Sequence, residues 1–228
     1  IFDFSHDHAV SRVHPKAPVL NLIGDKECQY LPPQAAVESY HMAAVYPGAR
    51  VIPAGMDVDN IPFGERGKGE YLIFMGLIHP YKGYEDALRI GQITGLPVKF
   101  VGPRAVDVPL PDYIGPVYDD AVKFKLLADA RALLCPYYND AAPRVPLEAA
   151  ACGTPTLCYK VDGTSEHVAH GVTGFYCANS WDMAANVRRV RELDREQMRA
   201  WVVENHSLEK TLDRHEALLQ TILEGERW

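Results

Sequence analysis

From residue 71 onward the chain repeats one pattern: a short apolar run, a loop of glycine, proline or charge, then a segment with helical spacing. The apolar runs are Tyr71-Leu72-Ile73-Phe74-Met75, Pro97-Val98-Lys99-Phe100-Val101, Ala132-Leu133-Leu134-Cys135-Pro136 and Thr156-Leu157-Cys158-Tyr159. Runs this apolar suit strands buried on both faces, and their alternation with helices predicts an α/β protein with a doubly wound, Rossmann-like parallel sheet. The intervening helices are expected over 83–95, where Ala87, Leu88, Ile90 and Ile93 share one face, and over 119–131, with Asp119 and Asp120 near its positive end. A third opens at Pro146, a residue favoured in a first turn. Two more are expected over 181–192 and 195–204, and Ser207 should cap a last helix reaching about residue 224. Before residue 71 the pattern is looser. Strands are expected over 18–23 and 49–53, a helix over 34–44, and a linker rich in proline, glycine and charge over 57–69 that marks a domain boundary.

In doubly wound sheets ligands bind at the carboxyl ends of strands, so the loops there hold the candidate chemistry. The first, Gly76-Leu77-Ile78-His79-Pro80-Tyr81-Lys82-Gly83, places a cation beside a helix start, an arrangement suited to phosphate; a solvated turn lysine is the plainer reading. The second runs from Asn139 through Asp140, Ala141, Ala142, Pro143, Arg144 and Val145 to Glu148. Glu148 either caps backbone N–H groups or accepts from paired hydroxyls such as a ribose diol. Arg144 either reaches a phosphate or makes a surface salt bridge, and Asp140 is a cap or a sugar-hydroxyl acceptor. In the third, Val161-Asp162-Gly163-Thr164-Ser165-Glu166, the backbone can face a sugar or diphosphate, while Glu166 also fits a first-turn acid. The turn His170-Gly171-Val172-Thr173-Gly174-Phe175 reads as structural.

Composition narrows the function classes. The 228 residues carry a formal net charge of −7 with no basic block, which argues against nucleic acid. No run approaches the ~18 apolar residues of a membrane span. Residues 1–8 lack the basic start and long apolar stretch of a signal peptide, and the missing initiator Met points to a processed or truncated chain. Five cysteines without CxxC spacing fit neither a disulfide framework nor a zinc site; buried thiols in a reducing compartment are expected. GxGxxG is absent, so a simple nicotinamide fold is not supported.

Several segments in order resemble the GT-B glycosyltransferases of family 4. Glu148-Ala149-Ala150-Ala151-Cys152-Gly153-Thr154-Pro155 is similar to that family's EAMACGTP signature. Gly163-Thr164-Ser165-Glu166 and His170-Gly171-Val172-Thr173-Gly174-Phe175 resemble its G-x-x-E and G-V-T-G-F elements. Val51-Ile52-Pro53-Ala54-Gly55-Met56-Asp57 resembles its linker entry, and Lys82-Gly83 its first-loop K-G. The resemblance implies a partial acceptor-side domain over 1–63, a nucleotide-sugar-binding domain over 64–206 and a crossover helix over 207–228. It implies retaining, metal-independent transfer of a hexosyl group from a nucleotide-diphosphate sugar, with no cofactor. Glu148 would hold the ribose. Asp140, eight residues earlier, stands at the first Glu of E-x7-E and would face the donor sugar. Lys82 would bind the diphosphate, with Gly76, Arg144, Val145, Gly163 and Thr164 around it. His6 or His8 resembles the family's strand-end histidine that touches the donor sugar, and His6 is the catalytic candidate beside Asp140; solvated terminal histidines are the alternative. Three departures stand out: Asp140 is one methylene shorter than Glu, Leu77 replaces the usual Arg, and Pro143 replaces a glycine.

The expected partners are a UDP- or GDP-linked sugar, a hydroxyl acceptor (glycan, lipid-linked or small molecule) and, to cover an incomplete N-terminal side, a partner chain or oligomer. The expected location is cytoplasmic, with the inner membrane face as a peripheral alternative. A catalytically silent nucleotide-sugar-binding or interaction module is the competing reading, and a sugar-nucleotide epimerase a weaker third.

Overall fold

The apolar run after Tyr71 forms the strand from which the larger sheet grows. The computed structural model describes residues 2–3, 20–23, 34–63 and 69–226. The chain divides into two units, Met56–Asn205 and Ile1–Gly55 with His206–Trp228. His6, His8 and Cys28 lie outside the described residues.

In Met56–Asn205 the strands are β5 (Leu72–Met75), β6 (Val98–Val101), β7 (Asp112–Gly115), β8 (Ala132–Cys135), β9 (Thr156–Tyr159) and β10 (Gly174–Cys177). All neighbours pair in parallel, in the order β10-β9-β8-β5-β6-β7. Every residue of β5, β8 and β9 is buried, because helices flank the sheet. Helix α2 (Tyr84–Thr94) packs on α5 (Ser180–Asn186), and α3 (Asp120–Asp129) packs on α4 (Val145–Ala151). The expected faces hold: Ala87 and Ile90 of α2 are fully buried, and Phe74, Phe100 and Tyr137 pack around β5. The Asp119 side chain accepts from the N–H groups of Ala121 and Val122, at 2.8 and 3.3 Å, and so starts α3.

Two edge strands were not expected. β7 mixes polar and apolar residues, and β10 lies within and beyond the turn predicted at 170–175. That turn is structural: the Tyr176 N–H donates to His170 Nδ1 at 3.0 Å, and the His170 ring packs on Phe175 and Tyr176. Residues 162–167 form a 3₁₀ helix, and residues 189–192 a second one where a continuous helix was expected. Part of the expected linker is docked. Val58 and Ile61 are buried in this unit's core, and Arg199 of α6 (Arg195–His206) donates to their carbonyls at 2.7 and 3.0 Å.

In the other unit β1 (Phe2–Asp3), β2 (Leu20–Ile23), β3 (Ala35–Val37) and β4 (Arg50–Val51) form a parallel sheet in sequence order. The helix expected over 34–44 is corrected here. Ala35–Val37 is strand, paired on both sides, and the helix α1 (Tyr40–Val45) starts only after Ser39, whose hydroxyl accepts from the Met42 N–H at 3.1 Å. Pairing outweighs the helix propensity of two alanines. α7 (Leu208–Leu223) is capped by Ser207 as expected and buries Ile222 against Ala36 and Ile52. Among the described residues no helix is long and apolar enough to cross a membrane.

Candidate functional site

The strand order reverses direction between β5 and β8. The loops leaving these two neighbours diverge, and ligands of doubly wound sheets bind in the crevice that results. Lys82 comes from the loop after β5 and Asp140 from the loop after β8; their side chains form an ion pair, each mostly buried. The Lys82 ammonium also lies 4.3 Å from the centre of the Tyr137 ring. Two sequence-predicted residues, 58 positions apart, thus meet at the switch point. In this state each neutralises the other.

The turns that carry them are held by backbone geometry. Gly83 ends the 3₁₀ turn Pro80–Lys82 at φ 69°, and a Cβ there would stand 2.0 Å from the Pro136 carbonyl oxygen. Only glycine lets the β5 and β8 loops approach this closely. The Gly76 N–H donates to Val101 at 2.8 Å, so this backbone donor is already engaged. Tyr137 donates its hydroxyl to the Met75 carbonyl at 3.0 Å, and the Tyr138 N–H donates to Tyr81 at 2.8 Å.

The third loop closes on the second. The Gly163 N–H donates to the Asp140 carbonyl at 3.0 Å, and a Cβ on Gly163 would lie 1.6 Å from the Ala141 carbonyl oxygen. Thr164 is fully buried, and its hydroxyl finds no hydrogen-bond partner. Its side chain is therefore enclosed in this state, and the backbone of this loop is the part nearest the second loop.

Glu148 sits in the first turn of α4 with a partner that sequence reasoning missed. Lys123 of α3 donates to Glu148 Oε1 at 3.0 Å and to Asp120 at 2.8 Å. Burial alone would lower the Lys123 pKa, but its ion pairs with Asp120 and Glu148 outweigh burial and raise it. The lysine stays charged and fixes the Glu148 carboxylate. Val145 begins α4 and is half-buried. Arg144 immediately precedes it, with its side chain at the surface and its carbonyl accepting from Leu147 and Glu148.

His167 was also missed. It is buried, and its Nδ1 lies 2.7 Å from the Pro143 carbonyl, so that nitrogen carries the proton and donates. Burial pulls its pKa below the usual value, with Arg144 adding to the effect against the Pro143 bond and Asp140. A depressed folded pKa means that the stability His167 gives is complete above its unfolded pKa of about 6.5 and is lost as pH falls through the folded value. Acidification from pH 7 to 5 is therefore expected to lower the denaturation midpoint of the wild type more than that of His167→Gln; equal slopes in both would contradict this. The described cysteines, Cys135, Cys152, Cys158 and Cys177, are buried and unbridged, and burial pushes the thiols of Cys135, Cys152 and Cys177 up to about 12. They are protonated at neutral pH and do not act as nucleophiles.

The fold is shared with known proteins. Residues 112–206 match the family model "Glycosyl transferases group 1". The matched segment runs from β7 through α6 and contains Asp140, Glu148 and Gly163. A curated relative, D-inositol 3-phosphate glycosyltransferase from Actinosynnema mirum, is 26% identical over 204 residues, covering 71% of this chain and 49% of that protein. The chain thus spans about half the length of the curated relative it matches. Among solved structures, AviGT4, a glycosyltransferase involved in avilamycin A biosynthesis, superposes with a TM-score of 0.81 at 21% identity, covering 100% of this chain and 75% of that one. Anabaena Alr3699/HepE in complex with UDP gives a TM-score of 0.77 at 15% identity, covering 97% and 78%. The fold is that of the GT-B Rossmann-like domains.

Proposed function

We propose that the chain is the nucleotide-sugar-binding part of a retaining, metal-independent glycosyltransferase that moves a sugar from a UDP- or GDP-linked donor to a hydroxyl acceptor. The observation that carries this reading is the meeting of Lys82 and Asp140 where the sheet order reverses, with Glu148 fixed nearby in sequence on α4. It is supported by the group 1 match and by the neighbour solved with UDP.

The roles follow from chemistry. As the bond from the anomeric carbon to the leaving oxygen breaks, negative charge collects on the diphosphate, and Lys82 supplies the stabilising cation. Donor binding must therefore take Lys82 from Asp140. The released carboxylate is then an acceptor for hydroxyls of the donor sugar. Glu148, fixed by Lys123, takes the ribose hydroxyls. Arg144 offers a second cation where Leu77 offers none. Binding of the acceptor falls to residues 1–63.

The test is to incubate the full-length protein with α-linked UDP- and GDP-sugars and a panel of hydroxyl acceptors, with and without EDTA. Release of nucleotide diphosphate with an α-linked product, insensitive to EDTA, is expected. A β-linked product or loss of activity in EDTA would overturn the retaining, metal-independent reading. The silent-module reading is favoured by Leu77, which stands where the resemblance expects a cation. Under that reading nucleotide binds but no sugar is released.

A further inference from the structure

Three loops form the candidate donor site, and one buried carboxylate, on the helix after the first, bonds to residues of or beside the other two. Asp86 lies one turn into α2 and is only 5% exposed. It accepts from the Tyr138 hydroxyl at 2.5 Å, the Tyr159 hydroxyl at 2.6 Å and the Arg89 guanidinium at 2.9 Å. Burying a carboxylate costs several kcal/mol unless donors surround it, and here three do.

One of these donors lies in the loop after β8, and another ends the strand that leads into the third loop. Tyr138 stands two residues before Asp140, and its N–H donates to Tyr81, the neighbour of Lys82. Tyr159 ends β9, four residues before Gly163, whose N–H donates to the Asp140 carbonyl. Asp86 itself sits four residues after Lys82. The hydrogen bond to Asp86, then burial, raises the Tyr138 pKa; for Tyr159 burial comes first, then Asp86. Both phenols stay protonated and keep donating.

We propose that Asp86 is a positioning residue for the donor site, holding the loops after β5, β8 and β9 in the register that brings Lys82 and Asp140 together. The proposal rests on the donor-site reading above. Its consequence is selective. Glu148 is fixed by Lys123 and does not depend on Asp86, so the nucleoside end of a donor is unaffected. The diphosphate end, which relies on Lys82, is not.

The test is calorimetric titration with the mono- and diphosphate of the nucleotide that the wild type binds (UMP and UDP, or GMP and GDP). Wild type is compared with Asp86→Ala and with Tyr138→Phe/Tyr159→Phe, which keeps both rings and removes only the hydroxyls. Expected is monophosphate affinity within about twofold of wild type in both variants, and a drop of about tenfold or more in the diphosphate-to-monophosphate affinity ratio. An unchanged ratio, or both ligands weakened equally, overturns the proposal, because a merely structural role moves both together. If Asp86→Ala fails to fold, the phenylalanine variant decides by the same ratio. No binding of any nucleotide by the wild type overturns the donor-site reading and this proposal with it, and that failure is visible before any variant is made.

Discussion

Gly163→Ala is expected to cost about 1–3 kcal/mol of stability and to weaken nucleotide diphosphate binding about tenfold or more in the fraction that folds. The added methyl would stand 1.6 Å from the Ala141 carbonyl oxygen, and that oxygen belongs to backbone that cannot swing away. Relief requires the third loop to withdraw from the second. Withdrawal breaks the hydrogen bond from the Gly163 N–H to the Asp140 carbonyl and shifts the residue that pairs with Lys82. Gly171→Ala is the control: its φ is 81°, so it bears the backbone strain, but nothing lies within 4 Å of its new methyl. Urea denaturation and calorimetry on both variants check this. A Gly163→Ala protein as stable as wild type, with unaltered nucleotide affinity, would contradict the packing described.

Lys82→Ala is expected to weaken nucleotide diphosphate binding about 10–100-fold, the loss of one or two charge-assisted hydrogen bonds to phosphate. It also leaves Asp140 mostly buried without its cation. That adds a stability cost of about 1–3 kcal/mol, less than for a fully enclosed pair because both side chains keep about 15% exposure (16% and 14%). The two effects separate in the double variant Lys82→Ala/Asp140→Ala. Removing both charges should recover most of the stability, while diphosphate affinity stays low. Recovery of both, or of neither, would contradict the assignment of Lys82 to phosphate and of Asp140 to the sugar.

The central strands were legible because a sheet covered on both faces demands unbroken apolar runs, and Leu72–Met75, Ala132–Cys135 and Thr156–Tyr159 are such runs. Edge strands bear no such demand. Asp112–Gly115 carries an Asp paired with Lys99 and a Tyr whose hydroxyl reaches the Gly102 carbonyl, so its sequence reads as loop. Ala35–Val37 reads as helix by composition and becomes strand through its neighbours on either side.

The site shows the same division. Lys82, Asp140 and Gly163 stand in loops after strands, and Glu148 in the first turn of the helix that follows, where the alternation of elements points. Their partners do not. Lys123 is 25 positions from Glu148, His167 is 24 from Pro143, and Asp86 is 73 from Tyr159, separations that only the folded sheet closes. Asp86 in particular occupies what looks like an ordinary first-turn acid of a helix. Its burial between two tyrosines is a tertiary fact with no local signature.

The most direct measurement of the central claim, that this sheet holds a nucleotide diphosphate at its switch point, is calorimetric titration of the protein with UDP and GDP, with Glu148→Ala alongside. One of the two is expected to bind, and the substitution to weaken it about tenfold or more. Binding of neither nucleotide, or binding unaffected by loss of Glu148, would contradict that claim.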